Sequence, residues 1–193
     1  MAAQPHDRQQ IWQYFSAIDS NRSGTLDVYE LQKALALGGL QFSLKTVQAI
    51  MRLHDRDGNG TINFDEFEKL HSWLSNISNS FRHFDTDRTG TLDKAEAAKA
   101  VGHAGYRLDP PAFEALFKSF DPDRTNTLCL AEFIAMSVFL QGAGRTFHAF
   151  DAQRTGRITL DFSQASSLAG SACFCRTGSG YAAMRAAQRV HHA

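Results

Sequence analysis

The stretch DRDGNGTINFDE, Asp55 to Glu66, brings the carboxylates of Asp55, Asp57 and Glu66, the amides of Asn59 and Asn63 and two glycines into twelve positions. Like charges this close repel, and each bare carboxylate prefers water, so the segment is poorly suited to ordinary surface-loop chemistry. A hard cation accounts for it. Calcium takes six to eight oxygens, supplied from loop positions 1, 3, 5, 7 (a backbone carbonyl), 9 and 12 (a bidentate Glu), with Gly at position 6 for the sharp bend. Asp55, Asp57, Asn59, Thr61, Asn63 and Glu66 fill these places, and Gly60 makes the bend.

The pattern recurs at Asp19 (DSNRSGTLDVYE), Asp85 (DTDRTGTLDKAE), Asp121 (DPDRTNTLCLAE) and Asp151 (DAQRTGRITLDF). Each copy follows a segment with helical apolar spacing, and the first four are followed by another, which is the helix-loop-helix of an EF-hand. Loop one offers Asp19, Asn21, Ser23, Thr25, Asp27 and Glu30, and loop three offers Asp85, Asp87, Thr89, Thr91, Asp93 and Glu96; a hydroxyl replaces the acid or amide at position 5 in both. Loop four retains Asp121, Asp123, Thr125, Thr127 and Glu132, but Asn126 stands at the bend and Cys129 at position 9, so it reads equally as a weak site or an empty one. In loop five Asp151 and Gln153 remain while position 12 is Phe162, which predicts a structural, calcium-free loop. Fourteen of the 20 acidic residues fall at ligand positions, and a solvated charged face would not sort them so. Calcium is the expected ion, with magnesium a competitor at the weaker loops.

Composition excludes several other classes. With 20 basic and 20 acidic residues, the chain has no global basic field to recruit nucleic acid and no acidic excess to suggest disorder. A hydrophobic content of 43% with 15 Phe supports a folded core. Three unevenly placed cysteines argue for a reducing compartment, and no apolar run approaches a membrane span or a signal peptide, so a cytoplasmic location is expected. The eight His show no metalloprotease spacing, and neither a phosphate loop nor a nucleophile motif is present, so no enzymatic activity is expected.

Spacing predicts the architecture. The loops start at intervals of 36, 30, 36 and 30 residues. Phe67 to Phe84, between loops two and three, lacks Gly and Pro and repeats apolar residues every three to four positions, so one helix is shared by hands two and three. The fourth and fifth hands share another. The 36-residue intervals contain breaks at Gly38-Gly39 and at Gly105 with Asp109-Pro110-Pro111, and hold two helices each. The fold expected is all-α, with five hands in residues 10–164 whose loops pair through short strands at position 8: Leu26, Ile62, Leu92, Leu128 and Ile158. Five is odd, so pairing one with two and three with four leaves the fifth with an open, apolar-flanked edge. Residues 1–9 read as a flexible tail and 165–193 as a divergent, poorly ordered one, rich in Ala, Ser and Gly.

These loops, the 36/30/36/30 spacing, the unpaired fifth hand and Gly105-Tyr106-Arg107-Leu108 together resemble the penta-EF-hand family, and within it the programmed cell death 6 branch. The resemblance implies a calcium-dependent adaptor that forms homo- or heterodimers through the fifth hand, binds Pro- and Tyr-rich segments in an apolar cleft, and associates reversibly with membranes. Trp73, Leu74 and Tyr106 are the cleft residues it suggests. Two other functions fit the same loops, a regulatory small subunit of a calpain-like protease and a passive calcium buffer. The long Gly/Pro-rich leader usual in the family is not matched here, and the segment after Gln164 departs from the family pattern.

Overall fold

The structure is a computed structural model that describes residues 5–164 apart from 152 and 154. The predicted C-terminal tail, 165–193, lies outside the described residues. The chain divides into two compact units, Met1–His83 and Phe84–Ala193.

The first unit comprises α1 (Pro5–Ile18), β1 (Thr25–Leu26), α2 (Val28–Leu37), α3 (Leu44–His54), β2 (Ile62–Asn63) and α4 (Phe64–Phe84), whose last residue opens the second unit. The helix α1 begins inside the stretch expected to be a flexible tail. Pro5 suits its first position, because the missing N–H would have had no intrahelical partner there. Asp27 caps α2 through a reciprocal box with Glu30, and Ser43 caps α3. Gly38 ends α2, and Gly39, at φ 81°, reverses the chain so that Leu40 N–H reaches the Leu35 carbonyl. The core gathers Phe15, Ile18, Leu26, Leu31, Val47, Ile50, Ile62, Phe67 and Leu70, all nearly inaccessible. Phe15 meets Phe64 and Phe67 edge-on, at 5.6 and 5.5 Å between ring centroids.

The second unit continues with β3 (Thr91–Asp93), α5 (Lys94–His103), α6 (Pro110–Phe120), β4 (Thr127–Cys129) and α7 (Leu130–Phe150). Asp109 caps α6 with Pro110 in its first turn, as the sequence predicts. Leu92, Ala97, Val101, Phe117, Leu128, Phe133, Ile134 and Met136 form its core. The buried residues of α7 end at Leu140, and Phe150 at its far end is exposed.

Both long helices are uninterrupted over 21 residues, in agreement with sharing between hands two and three and hands four and five. Strands pair antiparallel as expected, Leu26 opposite Ile62 and Leu92 opposite Leu128, with all four side chains fully buried. Among the described residues the fifth loop forms no strand, and Ile158 is only half-buried.

Candidate metal centres

All five loops fold around their first Asp in the same way. Its two carboxylate oxygens accept backbone N–H bonds from early loop positions and from position 6. In loop one Asp19 holds Ser23 and Gly24 at 2.9 and 2.8 Å; in loop two Asp55 holds Gly58 and Gly60 at 2.7 and 2.9 Å. Asp85 holds Thr89 and Gly90, Asp121 holds Thr125 and Asn126, and Asp151 holds Thr155 and Gly156. These bonds need φ > 0 at position 6, where Gly is unstrained and Asn126, at φ 60°, carries some strain.

The twelfth residue closes three loops alike. The Glu66 carboxylate accepts the Arg56 and Asn63 N–H groups at 2.8 and 3.1 Å, so it is fixed to both arms of the loop. Glu30 is held by Ser20 and Asp27, and Glu96 by Thr86 and Asp93, with the Ser20 and Thr86 hydroxyls adding bonds of 2.9 and 2.6 Å. All three glutamates are buried. In loops two and three the arrangement gathers Asp55, Asp57 and Glu66, and Asp85, Asp87 and Glu96, with ligand oxygens within 4.8 Å of one another.

Their electrostatics favour the ionised state that a cation requires. Burial opposes the charge on Asp55, but the N–H groups of Gly60 and Gly58 outweigh it and hold the carboxyl below its usual range. Glu96 is lowered by the Thr86 hydroxyl and N–H, and Asp87 by the same two groups of Thr89. An all-oxygen donor set, ionised and already gathered, fits a hard divalent ion.

Loop four departs for a reason additional to Asn126 and Cys129. Its second position is Pro122, which has no N–H, so Glu132 lacks the anchor that loops one, two and three supply there and accepts the Cys129 N–H at 2.8 Å. Among the described residues its acids are not gathered as those of loops two and three are. Loop five shows how a hand closes without a Glu at position 12. Asp161 accepts the Gln164 N–H at 2.7 Å and Gln164 accepts the Asp161 N–H at 3.0 Å, so the reciprocal cap found at positions 9 and 12 elsewhere has moved to positions 11 and 14. A neutral amide thus takes the carboxylate's place in the cap. Both features were available as sequence signals, a Pro at loop position 2 and an Asp three residues before a Gln.

The profile of the family described as an EF-hand domain pair matches residues 8–72 and 74–138. Human sorcin is 31% identical over 157 residues, covering 79% of this chain and 78% of sorcin. Penta-EF hand domain-containing protein 2 of Dictyostelium discoideum is 29% identical over 151 residues, covering 78% and 73%. A solved homolog of programmed cell death 6 protein from Leishmania major Friedlin is similar at a TM-score of 0.65 and 32% identity, covering 86% of this chain and 95% of that one. This chain belongs to the penta-EF-hand family.

As a penta-EF-hand protein it binds calcium, and the oxygen-lined loops are where this fold takes the ion. The three residues suggested for a partner cleft fall on one helix and a loop. Trp73 and Leu74 lie on α4 and are half-buried, and Trp73 tilts against His54 with ring centroids 5.2 Å apart. A shallow groove of about 440 Å³ runs along α4 between Glu68, Lys69, Ser72, Trp73 and Asn76. In the second unit Tyr106 lies beside α7, where a Cβ on Gly144 would stand 3.7 Å from its ring. Burial raises the Tyr106 pKa, and Arg145 works against that rise. No helix among the described residues is long and apolar enough to cross a membrane.

Proposed function

We propose that this penta-EF-hand chain is a calcium sensor and adaptor that binds extended Pro- and Tyr-rich segments when loaded. The observation that carries the reading is the position of α4. Glu66 sits in its first turn and its last residue, Phe84, immediately precedes Asp85, so chelation in loop two or loop three acts on the same helix. Trp73 and its groove lie on that helix, and an aromatic ring set among the polar side chains of Glu68, Lys69, Ser72 and Asn76 suits a segment that is already extended and low in entropy.

The loops load unequally in this reading. Loops two and three, with gathered acids, and loop one, with the same Glu anchoring, take calcium with dissociation constants of roughly 10⁻⁷ to 10⁻⁵ M. Loop four is weak and open to magnesium, and loop five stays empty. Three ions add six positive charges to a chain of formal net charge +0, which favours calcium-dependent contact with acidic membrane surfaces from the cytoplasm. Dimerisation through the fifth hand is part of the same proposal, supported by its unpaired loop and by Phe162, 89% exposed.

The deciding experiment measures binding of a Pro-Pro-Tyr-Pro-type peptide in calcium and in chelator, and calcium affinity with and without the peptide. Linkage requires the two effects to match. A tenfold or greater gain in calcium is expected. Equal peptide affinity in both conditions would make the chain a buffer or a constitutive subunit.

A further inference from the structure

Each unit ties the first turn of one hand's exit helix to the entering helix of its paired hand, through a cation that also lies over a ring. In the first unit Arg8 of α1 reaches Asp65 at 2.8 Å and Glu68 at 3.6 Å on α4, with its guanidinium carbon 5.3 Å from the centre of the Phe64 ring. In the second unit Lys94 of α5 reaches Glu114 of α6 at 2.8 Å and lies 5.7 Å from the centre of the Phe117 ring. Lys118 joins Glu114 at 3.0 Å. The polarity is reversed between the units, with the cation on the entering helix in one and on the exit helix in the other. The positions relative to the loops are close but differ by one: Asp65 stands one residue before its closing glutamate, Glu66, and Lys94 two before Glu96.

From this geometry we infer that Lys94 and Arg8 are positioning residues for calcium binding, clamps that hold the exit helix where its closing glutamate meets the loop. The inference rests on the assignment of loops two and three as calcium sites. In the structure both clamps are formed, and Glu66 and Glu96 already stand beside the other acids of their loops. Part of the cost of chelation is then met before the ion arrives. Glu114 is held ionised by Lys94 and then Lys118, so the pair is charged at neutral pH. The clamps also join paired sites, because α6 ends at Phe120 beside Asp121 and α1 ends at Ile18 beside Asp19.

The test turns on the sign of the effect. A lysine acting only as a nearby positive charge repels calcium, and removing it tightens binding. A lysine acting as a clamp gives weaker binding when removed. The full chain is titrated with calcium while NMR follows the Gly90 amide, which bonds Asp85 at 3.0 Å and reports loop three. Lys94→Met is expected to weaken loop three roughly two- to fivefold at low ionic strength, the range for exposed pairs. Lys94→Arg retains most of the affinity, the difference between wild type and Lys94→Met shrinks in 1 M salt, and Lys94→Met with Glu114→Gln is less than additive. In chelator, amide exchange in the first turn of α5 is faster in Lys94→Met than in wild type. Unchanged or tighter calcium binding by Lys94→Met, in a wild type that fills loop three, overturns the clamp. A wild type that leaves loop three empty refutes the calcium assignment instead, and the exchange rates in chelator then decide whether the clamp exists.

Discussion

Replacing Pro122 with Thr should turn the fourth loop into a competent calcium site. In loop three the equivalent residue, Thr86, gives Glu96 an N–H bond of 2.8 Å and a hydroxyl bond of 2.6 Å; in loop one Ser20 gives Glu30 the same pair at 3.1 and 2.9 Å. Pro122 can give neither, and Glu132 is left with what Cys129 supplies. A hydrogen bond to an ionised acceptor contributes about 1.5–3 kcal/mol. Only the part made with the ion bound but not without it raises affinity. Taking about half, ~1.4 kcal/mol, gives a tenfold tighter site. Pro122→Ala, which restores the N–H without the hydroxyl, should fall between Pro122→Thr and wild type. Loss of proline also loosens the unfolded chain by about 0.4–1 kcal/mol, so melting in chelator should drop slightly. The readout is an NMR calcium titration of the Asn126 amide, which bonds Asp121 at 3.0 Å, alongside calorimetric stoichiometry. If Pro122→Thr and wild type fill loop four at the same calcium concentration, the missing anchor is not what weakens it, and Asn126 or Cys129 must be.

Glu96→Gln should abolish binding at loop three, since it removes a charge from an oxygen that closes the site, while Asp151→Ala leaves calcium stoichiometry unchanged; calorimetry showing the reverse would invert the ranking of the loops. Leu128→Ala removes a fully buried side chain from the β3–β4 contact and should cost about 2–5 kcal/mol in urea unfolding in chelator, and a loss below about 1 kcal/mol would contradict its place in the core. Because Glu96 titrates below its ordinary value, its contribution to stability is complete above the unfolded-state pKa of about 4.3 and disappears as pH falls through the folded-state pKa. Thr86→Ala removes the largest cause of that shift, so in chelator Glu96 should titrate higher and the variant should lose less stability on acidification than wild type. An unchanged Glu96 titration by NMR would show that the Thr86 hydroxyl is not responsible.

The hands were legible because a calcium loop is a local object. Six ligand positions and a bend lie within twelve residues, and the geometry that joins Asp55 to Glu66 is set by chain spacing before any distant contact forms. The same locality exposed the strand positions, Leu26 with Ile62 and Leu92 with Leu128, the breaks at Gly39 and Asp109-Pro110, and the unbroken α4. Two local signals carried meaning only beside their partners. Pro122 matters because in loops one, two and three the residue in its place donates its N–H to the closing Glu, and Gln164 matters because it and Asp161 exchange bonds two positions later than the other hands do. What lay beyond the sequence was every pairing that depends on which helix faces which. Arg8 and Asp65 are 57 residues apart and Lys94 and Glu114 are 20 apart, and neither pair shares a helix face or a loop, so no periodicity links them. Only the packing of α1 on the start of α4, and of α5 on α6, brings each cation over its ring and against its acid. Local spacing therefore determined the twelve-residue loops and the bonds that hold their closing glutamates, and tertiary packing decided which helices the Arg8 and Lys94 pairs join.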